Sequence, residues 1–319
     1  MLNRAKTILL VSLAVVILGT WLSRYADLYV LDVLTGIGIN IILAVSLNLV
    51  NGYTGQFSLG HAGFMAVGAY TSAAITINFG PKVLSALGAT NDFTTGILFF
   101  FALVAGGLLA AVSGLFVGVP SLRLQGDYLA IVTLGFGEII RVVFRNMDSV
   151  GGALGLTGIP PYTNIFWVYS FAALTIYVVA CMVNSTYGRG FIAVHDDEVA
   201  AEAMGINATR YKIIAFVVGA FFAGIAGGIY GHFKLAIDPK GFDFIKSIEI
   251  VVMVILGGMG NTVGVIIAAV LLTLLPEWLR GLAEYRMMIY SLLLIVLMLT
   301  RPQGLFTPRK RALAERKTT

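Results

Sequence analysis

The chain has 319 residues, of which 58% are hydrophobic and only 12% charged, and its mean hydropathy is +0.92. A soluble domain carries about a quarter charged residues, so this composition excludes a water-covered globular protein. A net charge of +5 does not point to nucleic acid, because the basic residues lie mainly at the two ends and between hydrophobic segments. The only cysteine, Cys181, sits in an apolar run, and His61, His195 and His232 are scattered, so neither a disulfide nor a metal site is expected.

At roughly 20 apolar residues per crossing, this length allows on the order of ten spans and no large soluble domain. The expectation is one all-α transmembrane domain over residues 1–319 in a lipid bilayer. Residues 7–22, preceded by Arg4 and Lys6, read as an uncleaved first span rather than a signal peptide. Residues 28–50 return, a glycine-rich stretch at 51–63 follows, and 64–77 cross again. A loop at 80–94 leads to a span at 95–119, stopped by Pro120. Residues 128–144 cross, 148–164 form a Gly/Pro-rich loop, and 165–183 return.

The polar stretch 184–212 precedes a span at 213–230 and a loop at 231–246. Two shorter segments, 248–256 and 263–275, flank a glycine break at 257–261, and 287–299 end the membrane part. If 248–256 re-enters rather than crosses, the count falls to eight. An even number of crossings puts both termini on one side. The tail over 301–319 holds Arg309, Lys310, Arg311, Arg316 and Lys317 and is expected beside anionic cytoplasmic headgroups. Lys and Arg are only slightly more numerous on the inner side of this map, so orientation rests on the tail and on 184–212.

Most of the glycines fit close helix packing in lipid; Gly106, Gly107, Gly224, Gly227 and Gly228 are examples. Two interruptions differ. NGYTGQFSLGHAG (51–63) and GGMGNTVG (257–264) each separate hydrophobic segments, one in each half of the chain. Paired breaks point to an internal repeat around a transport path, since irregular backbone at membrane depth survives only beside protein or a water-filled cavity. Gln56, Ser58 and His61 are the expected path lining there, although a lone histidine is more often a hydrogen-bonded structural residue.

Ionisable groups in or beside spans are costly and therefore informative. Glu138 and Arg141 lie three apart and can pair on one helix face; Asp32 and Glu249 open two segments. All can be paired or interfacial, and Glu138, Arg141 and Glu249 are also candidates for transient contact with a zwitterionic solute.

The stretch 184–212 reads NSTYGRGFIAVHDDEVAAEAMGINATRYK. Asp196 is expected to cap a short helix with Asp197 and Glu198 in its first turn. Val199, Ala200, Ala203 and Met204 then share a face, Gly205 suits a left-handed stop, and Asn207 caps the next helix. From the residues alone this is an amphipathic helix on the membrane surface joining two spans.

NGYTGQFSLGHAGFMAVGAY (51–70), SLRLQGDYLAIVTLGFGEIIR (121–141), GGALGLTGIP (151–160), DDEVAAEAMGINATRYKIIAF (196–216) and SIEIVVMVILGGMGNTVG (247–264) occur in this order. Together they resemble the LivM-type permease of branched-chain amino acid ABC transporters over most of residues 40–300. The resemblance implies that 184–212 is a cytoplasmic coupling loop docking on an ATPase, through His195, Asp196, Asp197, Glu198, Glu202, Ala203, Gly205 and Arg210. It implies a bacterial inner-membrane importer with both termini cytoplasmic. Its partners would be a LivH-type second permease chain, two ATP-binding-cassette ATPases and a periplasmic amino-acid-binding protein. ATP and Mg²⁺ would then sit on the ATPases, with no cofactor, metal or catalytic residue on this chain. In agreement, no Gly-x-x-x-x-Gly-Lys-Ser/Thr loop occurs. One departure is His195, where the family pattern leads one to expect arginine. Relatives of this type carrying urea or short amides, an ion-coupled secondary transporter and a membrane enzyme are the competing readings. The second needs essential carboxylates deep in spans, and the third a catalytic constellation that the sequence does not display.

Overall fold

The computed structural model describes residues 27–86, 92–121 and 127–282, and single positions within 16–20 and 288–304. Most of the first span (7–22), about half of the last span (287–299) and nearly all of the basic tail fall outside the described residues.

Helix α1 (Leu28–Asn48) continues into a π-helical turn, Leu49–Tyr53. An extended stretch leads to α2 (His61–Asn78), then α3 (Gly80–Ala86), α4 (Asp92–Ser121) and α5 (Asp127–Arg145). Two short 3-10 turns and strand β1 (Leu156–Thr157) precede α6 (Ile165–Val183). Then come α7 (Thr186–Asp196), α8 (Glu198–Ala203) and α9 (Ala208–Lys234). Strand β2 (Ala236–Ile237) and a 3-10 turn (Pro239–Phe242) lead to α10 (Phe244–Gly257) and α11 (Thr262–Trp278).

Among the described residues, four stretches are long and apolar enough to cross a bilayer: Leu28–Tyr53, Phe93–Ser121, Ile165–Val183 and Ala208–Lys234. The expectation of short or broken helices also holds. The 14 residues of α10 reach only about 21 Å at 1.5 Å per residue, less than the roughly 30 Å of a hydrocarbon core. Ile250, Val251, Met253, Val254 and Leu256 of α10 are buried, so protein surrounds it. The expected loop at 80–94 instead contains α3, because Pro81 at its second position suits a first helical turn, where no N–H is needed. Pro120, expected to stop the span, lies inside α4, which reaches Ser121 at the edge of the described residues.

α9 packs along α2 and α4, and α2 along α4; α1 packs against α6 and α11. The first group meets backbone to backbone. A Cβ on Gly68 would overlap the backbone of Gly224, one on Gly106 would lie 2.8 Å from the Gly68 carbonyl oxygen, and one on Gly224 would lie 2.5 Å from Ala110 Cβ. Such approach supplies the dispersion contacts that hold helices together in lipid, where no hydrophobic drive operates. Outward, α4 exposes Phe93, Phe101, Leu108 and Phe116.

Contacts sort into two ends. At one, Leu156 pairs with Ile237 and Thr157 with Ala236 in an antiparallel ladder, which ties the 148–164 loop to the 231–246 loop. Asp32 and Lys234 pair at 3.4 Å at the same end, and Tyr29 donates to Glu277. The other end holds both glycine breaks, α7 and α8. This grouping matches the two-sided map drawn from the sequence.

Candidate translocation site and coupling element

The two breaks are joined. Gly260 N–H donates to Asn48 Oδ1 at 2.9 Å, Tyr53 Oη and Thr262 Oγ1 share a hydrogen bond of 2.8 Å, and Ala62 N–H donates to Ser247 Oγ at 3.2 Å. The second break thus has a backbone N–H satisfied by Asn48 at the end of α1, and the first by Ser247 in the first turn of α10, which lets irregular backbone persist away from water. Asn261 accepts from Gly264 N–H and starts α11.

Of the expected path residues, Gln56, Ser58 and His61 are all buried at this junction. Ser58 is stitched to Asn51: its N–H donates to Asn51 Oδ1 at 3.2 Å, and its carbonyl accepts from Asn51 Nδ2 at 3.5 Å. His61 Nε2 hydrogen-bonds Ser46 Oγ at 2.9 Å. Gln56 stands apart. It is 3% exposed, and neither its amide oxygen nor its nitrogen has a partner among the described residues.

Glu138, Arg141 and Glu249 lie elsewhere. Glu138 pairs with Arg141 at 2.7 Å in the last two turns of α5, and Glu249 pairs with Lys246 at 3.0 Å in the first turns of α10. Arg141, Arg145, Ala153, Pro239 and Lys240 line a cavity of about 140 Å³ at the end carrying the β1–β2 ladder. The sequence reading did not single out Ser46, Asn48, Tyr53 or Ser247. Ser46 and Asn48 carried a signal, being polar groups within the apolar run ILAVSLNLV.

In the stretch 184–212, Asp196 closes α7 rather than opening the next helix. The cap is Asp197, whose extended backbone (φ −158°, ψ 107°) breaks the chain direction and whose Oδ1 accepts from Ala200 N–H at 3.0 Å. Glu198 occupies the first turn of α8. At the other end Gly205 has φ +85°, with Gly205 N–H donating to Glu202 carbonyl and Ile206 N–H to Ala201 carbonyl. This paired arrangement is the Schellman stop. Asn207 Oδ1 accepts from Arg210 N–H at 2.9 Å and caps α9.

Val199, Ala200, Ala203 and Met204 are all exposed, so the apolar face of α8 turns away from the chain; Glu202 and Arg210 are exposed as well. Ala201 faces inward onto Val194 and Ala208, with Ile206 and Tyr211 around them. Lys212, at 7% exposed, brings Nζ to 2.5 Å from Glu198 Oε1. His195 also points inward. Its Nδ1 is buried without a partner among the described residues, and it packs against Gly55. Among the described residues no group of three His, Cys, Asp or Glu side chains is placed to hold a metal.

Residues 29–299 match the family described as the permease component of the branched-chain amino acid transport system. The chain belongs to this family. The permease is 35% identical to the high-affinity branched-chain amino acid transport system permease protein LivM of Salmonella typhimurium, over 86% of this chain and 69% of that protein. Its similarity extends to the permease protein LivH of Escherichia coli, 30% identical over 44% of this chain and 46% of that one. It is also 26% identical to the guanosine ABC transporter permease protein NupQ of Bacillus subtilis, over 58% and 61% of the two chains. No solved structure matches the permease.

Proposed function

We propose that the chain is the membrane-spanning subunit of an ATP-driven importer that moves branched-chain and similar hydrophobic amino acids. The observation that carries this reading is α8. Six residues are too few for an isolated helix in water, yet Asp197, the Gly205 stop and the Glu198–Lys212 pair fix it in place. Its outward face, Val199, Glu202, Ala203 and Met204, has no cover among the described residues, as suits a groove on an ATPase subunit.

In this reading α8 faces the cytoplasm with both termini, in a bacterial inner membrane. The chain pairs with a related second permease, and similarity to both LivM and LivH supports such a pair. Two ATPases hold ATP and Mg²⁺, so this chain performs no chemistry. A periplasmic binding protein docks at the opposite end, where the β1–β2 ladder joins two loops and Arg141, Arg145 and Lys240 surround a cavity. The path runs beside the joined breaks, with Gln56 as its polar contact.

Glu202→Lys and Gly205→Val test the reading in the full complex. Both are expected to leave the two permease chains paired while ATPase activity no longer rises with the loaded binding protein. Normal coupled uptake in both variants would make α8 a surface linker. A second reading, a polar amide-bearing solute, is favoured by the unpartnered Gln56 amide. Gln56→Leu should slow leucine uptake only a few-fold under the first reading, where the apolar side chain is the main contact, and abolish solute uptake under the second.

A further inference from the structure

Contacts run without a gap from α8 to both breaks. The Glu198–Lys212 pair and the small core of Val194, Ala201 and Ala208 make α7, α8 and the start of α9 one unit. His195, in the last turn of α7, lies against Gly55; a Cβ there would come 2.6 Å from His195 Nδ1 and 3.4 Å from its Cα. Gly55 has φ +68° and sits where the π-helical turn gives way to extended chain. The turn in its place holds the second break through Asn48–Gly260 and Tyr53–Thr262.

We propose that His195 is a positioning residue that bears on Gly55 and carries displacement of α8 into the joined breaks, instead of contacting the ATPase itself. At Gly55 the ring meets backbone alone, with no side chain to adapt. Packed interiors transmit such a push because they compress little. The π-turn beyond is the point of give, since i→i+5 turns are rare single-turn departures from regular helix, frequent at functional sites. The proposal rests on α8 being the docking element.

The test uses the complete importer in vesicles, with Cys181→Ala removing the native thiol and Gln56→Cys as a reporter beside Gly55. The rate of modification by a small thiol reagent is measured with and without ATP plus vanadate. With His195 present, trapping is expected to change that rate several-fold. His195→Ala should reduce the change several-fold while the ATPases still co-purify, and His195→Gln, which keeps comparable reach, should restore part of it. An unchanged response in His195→Ala overturns the proposal. So does loss of the ATPases from that variant, because His195 would then be a docking contact. If the ATPases co-purify but no response appears even with His195 present, the breaks do not receive the movement. If the ATPases never associate, the docking reading of α8 fails first.

Discussion

Lys212 is an ammonium kept at 7% exposure at the base of a membrane helix, and Glu198 is its counter-ion. Glu198→Gln leaves that charge buried and uncompensated. Breaking a fully buried pair costs about 3–5 kcal/mol. Because Glu198 is partly solvated, about 2 kcal/mol is the better expectation here. Adding Lys212→Met should recover most of the loss. Thermal unfolding of the purified permease pair measures both, and additive losses would contradict the coupling. Gly205 and Gly55 offer a second contrast. Nothing lies within 4 Å of a Cβ at Gly205, so Gly205→Ala should cost only its left-handed backbone, about 1–2 kcal/mol. Gly55→Ala should cost more, since it also displaces His195.

The caps Gly205 and Asn207 were legible because capping is local chemistry. The choice between Asp196 and Asp197 was not. Both residues suit a cap, and the Glu198–Lys212 pair accompanies the observed register. The approach of His195 to Gly55 was not legible, because the two residues are remote in sequence.

At the scale of elements, the α2–α4–α9 junction depends on missing side chains. Gly224→Val should prevent a stable fold, because Ala110 Cβ and the Gly106 carbonyl oxygen lie 2.5 and 2.9 Å from the first added carbon. Gly135→Ala on α5 meets nothing within 4 Å and should be tolerated, gaining up to about 1 kcal/mol of helix propensity. Detergent-extracted yield and a monodisperse size-exclusion profile distinguish the two variants; equal behaviour would contradict the close-packed junction. Both breaks were visible in the sequence, since glycine and polar runs inside apolar segments have few other uses. Their mutual contact was not, because Asn48 and Gly260 belong to different halves of the chain. α3 was missed because Gly80 and Pro81 read as loop punctuation, although proline is equally at home in a first helical turn.

For the whole molecule, composition was enough to place the chain in lipid, and the order of the described helices was largely legible. The number of crossings was not legible from hydropathy, because a helix as short as α10 can be enclosed by protein rather than matched to a bilayer. Sidedness is a separate matter. On a Cys181→Ala background, Asn207→Cys should label only after the inner face is opened, and Lys240→Cys from outside in intact cells. Labelling of Asn207→Cys from outside would invert the map.

The central claim, that this chain moves a hydrophobic amino acid at the expense of ATP spent elsewhere in its complex, is tested most directly by transport in vesicles. The complete importer would be reconstituted with ATP inside, and the loaded binding protein and radiolabelled leucine outside. Accumulation should require both the ATP and the binding protein and vanish when a non-hydrolysable analogue replaces the ATP. Accumulation driven by an ion gradient through this chain and its paired permease, with the ATPase subunits left out, would contradict it.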